Sequence, residues 1–226
     1  MKVEVRIMSS MMIQNLFPSP IAVIDNEQSS SINASLKKLF LEREKNKEQY
    51  KNANPPPTVR KNIFDSEMNL FDDPQPDIQK LHHYIMNNLY QFIGELNGYS
   101  PSQLQKLRVR TNAWFHITRD GGYISTHNHP VSAWSGVYYV DAGREIESDK
   151  SDNGVLRFID TRNANAYLDP ANMNLKSPFG FGSVNFHPKP GRLVLFPSYL
   201  QHEATPYEGA GTRICVAFNS VFRFIE

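Results

Sequence analysis

Little in this sequence marks a secreted, membrane-bound or nucleic-acid-binding protein. It has one cysteine, Cys215, in 226 residues, which excludes an intramolecular disulfide. No stretch approaches the roughly 18 consecutive apolar residues of a membrane span, and no apolar run of the secretory kind follows the N-terminus. The formal net charge is only +1, without the clustered basic patch of a nucleic-acid-binding surface. These absences predict a cytoplasmic protein that binds neither nucleic acid nor membrane.

Two helices are predicted in the first half of the chain. Residues 31–52 follow serines suited to an N-cap and carry a short apolar stripe. Residues 77–98 have apolar side chains at three- and four-residue steps and end on Gly98, the residue type preferred just after a helix. The irregular, proline-rich segment 52–76 between them is either a lid on the substrate side or ordinary packing.

The second half has the alternating pattern and turn residues of strands, and 12% of the chain is aromatic. Strands are predicted over 12–25, 104–118, 133–140, 154–160, 191–197 and 213–224, with a turn at 120–122. This order predicts a mainly β sandwich or barrel with helices packed on one side. One domain is expected over 1–226, with 1–12 as an extension, 29–98 as helical support and 104–224 as the β core.

Two histidines, His127 and His129, stand two residues apart just before the predicted strand 133–140. Alternate side chains of an extended chain share a face, so both imidazoles are expected to point the same way. Neutral imidazole suits iron, zinc and copper, and such a pair supplies half of a metal site. His202, in LVLFPSYLQHEATP, is the candidate for a third ligand.

Other polar residues on these segments are expected to be structural. His116 lies within a predicted strand and His187 within a long connection. Asn112 and Trp114 share a strand face with His116, which makes them candidates for the wall of a cavity.

The order of these parts resembles the iron(II)- and 2-oxoglutarate-dependent oxygenases. It is most similar to a prolyl-hydroxylase-like subgroup of bacterial and phage proteins. The shared segments are NLFPSPI, YISTHNHPVSAWSGVYYV and GRLVLFPSYLQHEATPYEGAGTRICVAFN. The resemblance implies a double-stranded β-helix, or jelly roll, and an enzyme that needs Fe(II) with 2-oxoglutarate as cosubstrate.

The resemblance also implies roles for single residues. By this likeness, the metal ligands are His127, His129 and His202. Arg213, which follows His202 by 11 residues (213 − 202), would bind the far carboxylate of 2-oxoglutarate through two hydrogen bonds. Cys215 stands where the family often has a hydroxyl. In prolyl-hydroxylase-like members a tyrosine also contacts that carboxylate, which suggests Tyr139, with Tyr138 its nearest rival.

One position departs from the family pattern. Where the family has an aspartate or glutamate two residues after the first histidine, this chain has His129. Three neutral imidazoles leave the metal centre one unit more positive than two imidazoles and a carboxylate, and three-histidine iron sites occur in thiol dioxygenases. Glu203 is an alternative carboxylate ligand, but it is adjacent to His202 and so faces the opposite side of an extended chain. Asp141 lies at the far end of its strand, so His129 is preferred.

The predicted enzyme is a dioxygenase that couples decarboxylation of 2-oxoglutarate to hydroxylation of a C–H bond. Its substrate is a small molecule or a peptide, and the resemblance alone suggests a prolyl or other peptide side chain. Two alternatives stay open: a cupin-like three-histidine dioxygenase that needs no 2-oxoglutarate, and a non-catalytic jelly-roll binding module. A homodimer is one assembly that the sequence allows.

Overall fold

The computed structural model describes residues 12–143, 151–161 and 169–225. The strands are β1 (Ala22–Asp25), β2 (Arg60–Asp65), β3 (Leu107–His127), β4 (Trp134–Asp141), β5 (Leu156–Ile159), β6 (Ser183–Phe186), β7 (Arg192–Pro197), β8 (His202–Tyr207) and β9 (Arg213–Phe224). The helices are α1 (Ser30–Lys45), α2 (Lys47–Tyr50), α3 (Pro76–Asn97) and α4 (Pro101–Lys106), with a 3-10 turn at Leu70–Asp72. In the described chain the strands form one antiparallel sheet in the order β1-β7-β4-β9-β3-β8-β5-β6, and β2 pairs with β3.

Helices α1 and α3 cover one face of this sheet. Phe40 of α1 stacks on Phe115 of β3 with ring centroids 4.2 Å apart. The apolar stripe of α3, including Ile85 and Leu89, is fully buried in the same hydrophobic core. Gly98 ends α3 in the left-handed conformation at φ 64°, as predicted. None of the helices in the described ranges is long and apolar enough to cross a membrane.

The long strand β3 gives the sheet its curl. It pairs with β9 from Leu107 to Thr118 and with β8 from Gly122 to His127. Gly121 has φ 70°, and a side chain on Gly122 would come within 2.5 Å of Thr118. The predicted turn at 120–122 is therefore wrong: the strand bends and continues, because two glycines permit a bulge where it changes partners.

The start of β3 also differs from the prediction. Residues 101–106, expected in part as strand, form α4 instead. The Ser100 side chain accepts from the backbone of Gln103, and the Gln103 side chain accepts from the backbone of Ser100. This reciprocal cap stabilises a short helix against the β pattern that follows it.

Two further segments differ from the prediction. The strand expected over 12–25 is reduced to β1, which does lie at the sheet edge, as its prolines indicated. The irregular segment 52–76 contains the unpredicted strand β2. Since β2 pairs with β3 beside the bend, this segment becomes part of the wall around the candidate site.

Candidate active site

Strand β9 lies between β3 and β4, so side chains from three strands form rows across the concave face of the sheet. The register pairs Thr118 with Arg213; His116 with Cys215 and Tyr139; and Asn112 with Asn219 and Ser135. All of these residues except Thr118 line the floor of a cavity of about 570 Å³. His127, His129 and His202 line the same cavity from the ends of β3 and β8.

The three predicted histidines converge. Ring centroids lie 4.4 Å apart for His127 and His202, and 5.0 Å apart for each of these with His129. One nitrogen from each ring lies within 4.8 Å of the others, close enough for a single ion to bind all three. Register brings two of them together, because His127 and His202 are paired residues of β3 and β8.

Hydrogen bonds fix two of these rings. Nδ1 of His127 lies 2.7 Å from the carbonyl oxygen of Ser125, and Nδ1 of His202 lies 2.9 Å from that of Leu200. A carbonyl can only accept, so the proton of each neutral ring is on Nδ1 and the lone pair is on Nε2. An outward-facing N–H bond of this kind is usual for metal-binding histidines.

The cluster is neutral near pH 7. Burial lowers the pKa of His202 to about 3 and that of His129 to about 4, and the neighbouring imidazoles act in the same direction. Burial also lowers the pKa of His127. Because a metal binds only unprotonated imidazole, these shifts keep the site ready to accept a cation.

The alternative carboxylates are engaged elsewhere. Glu203 accepts from Thr126 at 2.9 Å and pairs with Arg157 at 3.2 Å. Asp141 forms an ion pair with Lys37 of α1. His129, rather than either acid, therefore supplies the third donor that faces the cavity.

Arg213 is a buried cation in the cavity floor, only 3% exposed. Its Nη1 donates to the carbonyl of Gly154, and Nη2 lies 3.4 Å from Thr118 Oγ1. Nε has no hydrogen-bond partner, and no carboxylate of the described residues pairs with this guanidinium. An isolated buried charge is costly, so the arrangement fits an anionic ligand that enters the cavity.

Tyr139 and Tyr138 occupy opposite faces of β4. Tyr139 lines the cavity, and burial raises its pKa, so its hydroxyl remains a donor. Tyr138 is fully buried on the helix side, where its hydroxyl donates to Asn33 of α1 at 2.8 Å. The structure thus places Tyr138 away from the cavity, because adjacent strand residues face opposite sides. Burial raises the pKa of the Cys215 thiol to about 11, as expected for an inert residue.

A buried polar chain in the cavity wall was not predicted as such. Trp114 Nε1 donates to His116 Nε2 at 2.5 Å, and His116 Nδ1 lies 2.6 Å from Asp65 Oδ1. Burial raises the pKa of Asp65, but the attraction of His116 and hydrogen bonds from His116 and Arg60 outweigh it and lower that pKa to about 2. The sequence did not indicate the role of Asp65, because the segment that forms β2 was predicted to be irregular.

The same Arg60 shapes the mouth of the cavity. Its guanidinium donates to Asp65 at 2.6 Å and to the carbonyl oxygens of Pro56 and Thr58 at 3.0 and 3.2 Å. These bonds hold the proline-rich loop so that Pro56, Pro57 and Thr58 line the opening. Of the two interpretations of segment 52–76, the substrate-side loop is the one this placement favours.

A sequence comparison matches one segment of the chain to a known family. Residues 112–219, which include the histidines and Arg213, match the family model described as "Putative 2OG-Fe(II) oxygenase". The predicted resemblance to the 2OG-Fe(II) oxygenases is confirmed over this segment. The predictions of an oxygenase, with iron and 2-oxoglutarate as its cofactors, are therefore confirmed. A comparison with curated protein sequences finds no match.

Solved structures share the fold at low identity. A Pseudomonas putida prolyl-4-hydroxylase is 16% identical over 91% of this chain and 93% of its own, with a TM-score of 0.55. A Trichoplax adhaerens prolyl hydroxylase, in complex with a hypoxia inducible factor peptide fragment, is 17% identical over 88% of this chain and 82% of its own, with a TM-score of 0.55. HygX from Streptomyces hygroscopicus, with nickel and 2-oxoglutarate bound, is 14% identical over 89% and 82%, with a TM-score of 0.54. The predicted jelly roll is confirmed.

The residues present fit both cofactors. Three neutral imidazoles from the ends of β3 and β8 match the nitrogen ligands that iron accepts. The guanidinium of Arg213 lines the same cavity, and its Nε has no hydrogen-bond partner. It could therefore bind the carboxylate of a ligand in this cavity. The three histidines and Arg213 all lie within the described residues.

Proposed function

We propose that this protein is an iron(II)- and 2-oxoglutarate-dependent dioxygenase that hydroxylates a prolyl or other side chain of a peptide. In this proposal the iron ligands are His127, His129 and His202. Arg213, assisted by the Tyr139 hydroxyl, binds the far carboxylate of 2-oxoglutarate. The observation that supports it best is one cavity lined both by a cluster of neutral imidazoles and by a buried guanidinium with which no carboxylate of the described residues pairs.

Each of these residues has a distinct task. When bound, iron and 2-oxoglutarate supply an oxidation in which O₂ and 2-oxoglutarate give succinate and carbon dioxide while one oxygen atom enters a C–H bond. His127 and His202 present Nε2 in fixed orientations because their Nδ1 protons are held by backbone carbonyls. Arg213 orients the cosubstrate, since a guanidinium forks onto a carboxylate with two hydrogen bonds.

The cavity mouth supports a peptide substrate. The residues that line it include Pro56, Pro57, Pro130 and Val131. Val131, two residues after His129, is 95% exposed and has φ 64°, a strained conformation for a β-branched residue. An apolar, preformed rim suits an extended apolar or proline-containing segment. The Trichoplax adhaerens prolyl hydroxylase, which shares this fold, was solved with a peptide bound.

We infer that one domain carries this function. The hydrophobic core joins α1 and α3, within the helical segment 29–98, to β3, β4, β7 and β9 of the sheet. Residues 1–11 lie outside the described part of the chain, so the extension expected there has no structural account.

Four measurements on the purified protein test the proposal. Calorimetric titration with Mn(II), a metal that does not turn over, should show one site per chain, and 2-oxoglutarate should then bind to the metal-loaded protein. With Fe(II), 2-oxoglutarate and O₂, succinate should form, and a proline-containing peptide pool should gain oxygen by mass spectrometry. Metal binding without 2-oxoglutarate binding would instead support the cupin-like alternative. Absence of metal binding would support the non-catalytic module and contradict the proposal.

A further inference from the structure

A line of hydrogen bonds leads from the interior of the sheet to His129. Ser198 Oγ lies 2.7 Å from Ser135 Oγ, and Ser135 Oγ lies 2.7 Å from the side-chain oxygen of Asn219. The side-chain nitrogen of Asn219 lies 3.3 Å from His129 Nδ1. Both serines are buried, with 0% and 1% exposure, so the line is shielded from water along most of its length.

The fold builds this line from neighbouring strands. Ser135 and Asn219 are paired residues of β4 and β9, so their side chains meet on the cavity face. Ser198 directly follows β7, and its backbone carbonyl accepts from the backbone N–H of His129 at 2.9 Å. The backbone and the ring of His129 are therefore held from the same side by one connected group of residues.

His129 differs from its two neighbours in what its Nδ1 contacts. Backbone carbonyls hold Nδ1 of His127 and His202, and a carbonyl can only accept. An amide can donate through nitrogen or accept through oxygen, and a 180° rotation of the Asn219 side chain exchanges the two ends. The tautomer of His129, unlike that of the other two rings, therefore depends on a side chain.

The line can run in two directions, because an amide and a hydroxyl can each donate or accept. In the direction that the structure shows, the Asn219 nitrogen donates to Nδ1, the Asn219 oxygen accepts from Ser135, and His129 carries its proton on Nε2, where it blocks a metal. In the other, the Asn219 oxygen accepts from Nδ1–H, the Asn219 nitrogen donates to Ser135 Oγ, and Ser135 donates to Ser198 Oγ. Only the second direction leaves a lone pair on Nε2.

We propose that Asn219, oriented by Ser135 and Ser198, is a positioning residue that selects the Nδ1–H tautomer of His129 and so makes this ring a metal ligand. This inference rests on the proposed function, in which His129 takes the place of the usual carboxylate. Metal binding favours the direction in which the Asn219 oxygen faces the ring. The three residues thus support the position at which the chain departs from the family pattern.

Asn219 variants test this inference in solution. Asn219→Leu removes both ends of the amide at nearly constant volume, and its Mn(II) affinity should fall by roughly 10- to 100-fold, the usual cost of losing a group that orients a metal ligand. Asn219→Asp can only accept from Nδ1–H, and it should retain or exceed the wild-type affinity. Asn112→Leu is the matched control, because Asn112 pairs with Asn219 across the sheet and lines the same cavity, and its affinity should stay near wild type.

Nitrogen-15 NMR of the histidine rings provides a readout that a merely structural role would not change. With Zn(II), which is diamagnetic, wild-type His129 should show a protonated Nδ1 and a metal-bound Nε2, and the Asn219 side-chain amide signals should shift. In metal-free Asn219→Asp the His129 proton should already be on Nδ1.

The outcomes separate this inference from the function on which it rests. Wild-type protein that binds no metal overturns the proposed function and this inference with it. Wild-type protein that binds Mn(II), with Asn219→Leu folded and equally tight, overturns the inference alone. Should Asn219→Leu fail to fold, Asn219→Asp decides: a tenfold loss of Mn(II) affinity, or a proton that remains on Nε2, contradicts the role of Asn219.

Discussion

His116 and His127 lie on the same strand and line the same cavity, yet their surroundings give them opposite roles. Both ring nitrogens of His116 are engaged, Nε2 by Trp114 at 2.5 Å and Nδ1 by Asp65 at 2.6 Å. His127 has one engaged nitrogen, and the other faces two more imidazoles. Burial and strand position do not distinguish a ligand from a structural histidine. The number of ring nitrogens left free does.

The largest expected effect comes from removing one member of the cluster. His202→Ala should lower Mn(II) affinity by more than about 100-fold, since losing a ligand costs more than losing the group that orients one. His116→Gln is the matched control and should bind Mn(II) nearly as well as wild type. Calorimetry measures both variants, with circular dichroism as the check on folding. If His116→Gln lost Mn(II) binding as completely as His202→Ala, His116 could not be a structural histidine.

The second effect concerns the other end of the cavity. Arg213→Leu should weaken 2-oxoglutarate binding to the Mn(II)-loaded protein by about 100-fold or more, because a forked pair of charge-assisted hydrogen bonds contributes roughly 3 kcal/mol. Its Mn(II) affinity should be unchanged. Arg223→Leu, at an exposed arginine of the same strand, is the control. Equal 2-oxoglutarate binding by Arg213→Leu and wild type would contradict the role of this guanidinium.

Removing the charge should also affect the metal-free fold. Arg213 is buried without a carboxylate partner among the described residues, and replacing a buried charge by an apolar side chain is often neutral or stabilising. Metal-free Arg213→Leu should therefore unfold at a temperature no lower than wild type. A marked loss of thermal stability would show that the guanidinium serves the fold rather than a ligand.

A third effect depends on pH. In the metal-free protein the pKa values of His129 and His202 are about 4 and about 3, against an ordinary value near 6.5. As pH falls below about 6.5, the unfolded chain binds protons that the folded chain excludes, so the free energy of unfolding should decrease toward pH 4. His202→Gln should make this decrease shallower, with His83→Gln at an exposed position as control. Urea titrations at several pH values measure it, and identical slopes for all three proteins would refute the burial argument.

The smallest effect tests the structural histidine. Trp114→Phe removes the N–H that His116 Nε2 accepts but keeps most of the aromatic volume. The free energy of unfolding should fall by about 1 kcal/mol, the usual net contribution of one hydrogen bond. Mn(II) affinity should not change. Weaker metal binding in a folded Trp114→Phe would mean that the two groups of histidines are coupled after all.

Most of the fold could be predicted from the sequence, and so could the part of the site that depends on local spacing. The spacing of His127 and His129, the apolar stripe of α3 and the stop at Gly98 follow from local periodicity and turn chemistry. His202 was a candidate for the third ligand, and the family resemblance then supported it and pointed to Arg213; no local rule connects either residue to the first pair.

The remaining features depend on register, which a single sequence does not reveal. Nothing in the sequence marks Asn219 and Ser135 as partners, because only the pairing of β9 with β4 places them side by side. Asp65 meets His116 only because β2 joins β3, and β2 itself was hidden among prolines and irregularly placed apolar residues. At Gly121 and Gly122 the local signal indicates a turn, and pairing with β8 converts that turn into a bend within one strand.

A crystal structure of the protein grown or soaked without oxygen in Mn(II) and 2-oxoglutarate would test the central claim most directly. We expect anomalous density for one metal ion bound by Nε2 of His127, His129 and His202, and a dicarboxylate whose far end contacts the Arg213 guanidinium. Metal bound away from these three rings, or a dicarboxylate that leaves Arg213 without a partner, would contradict this account.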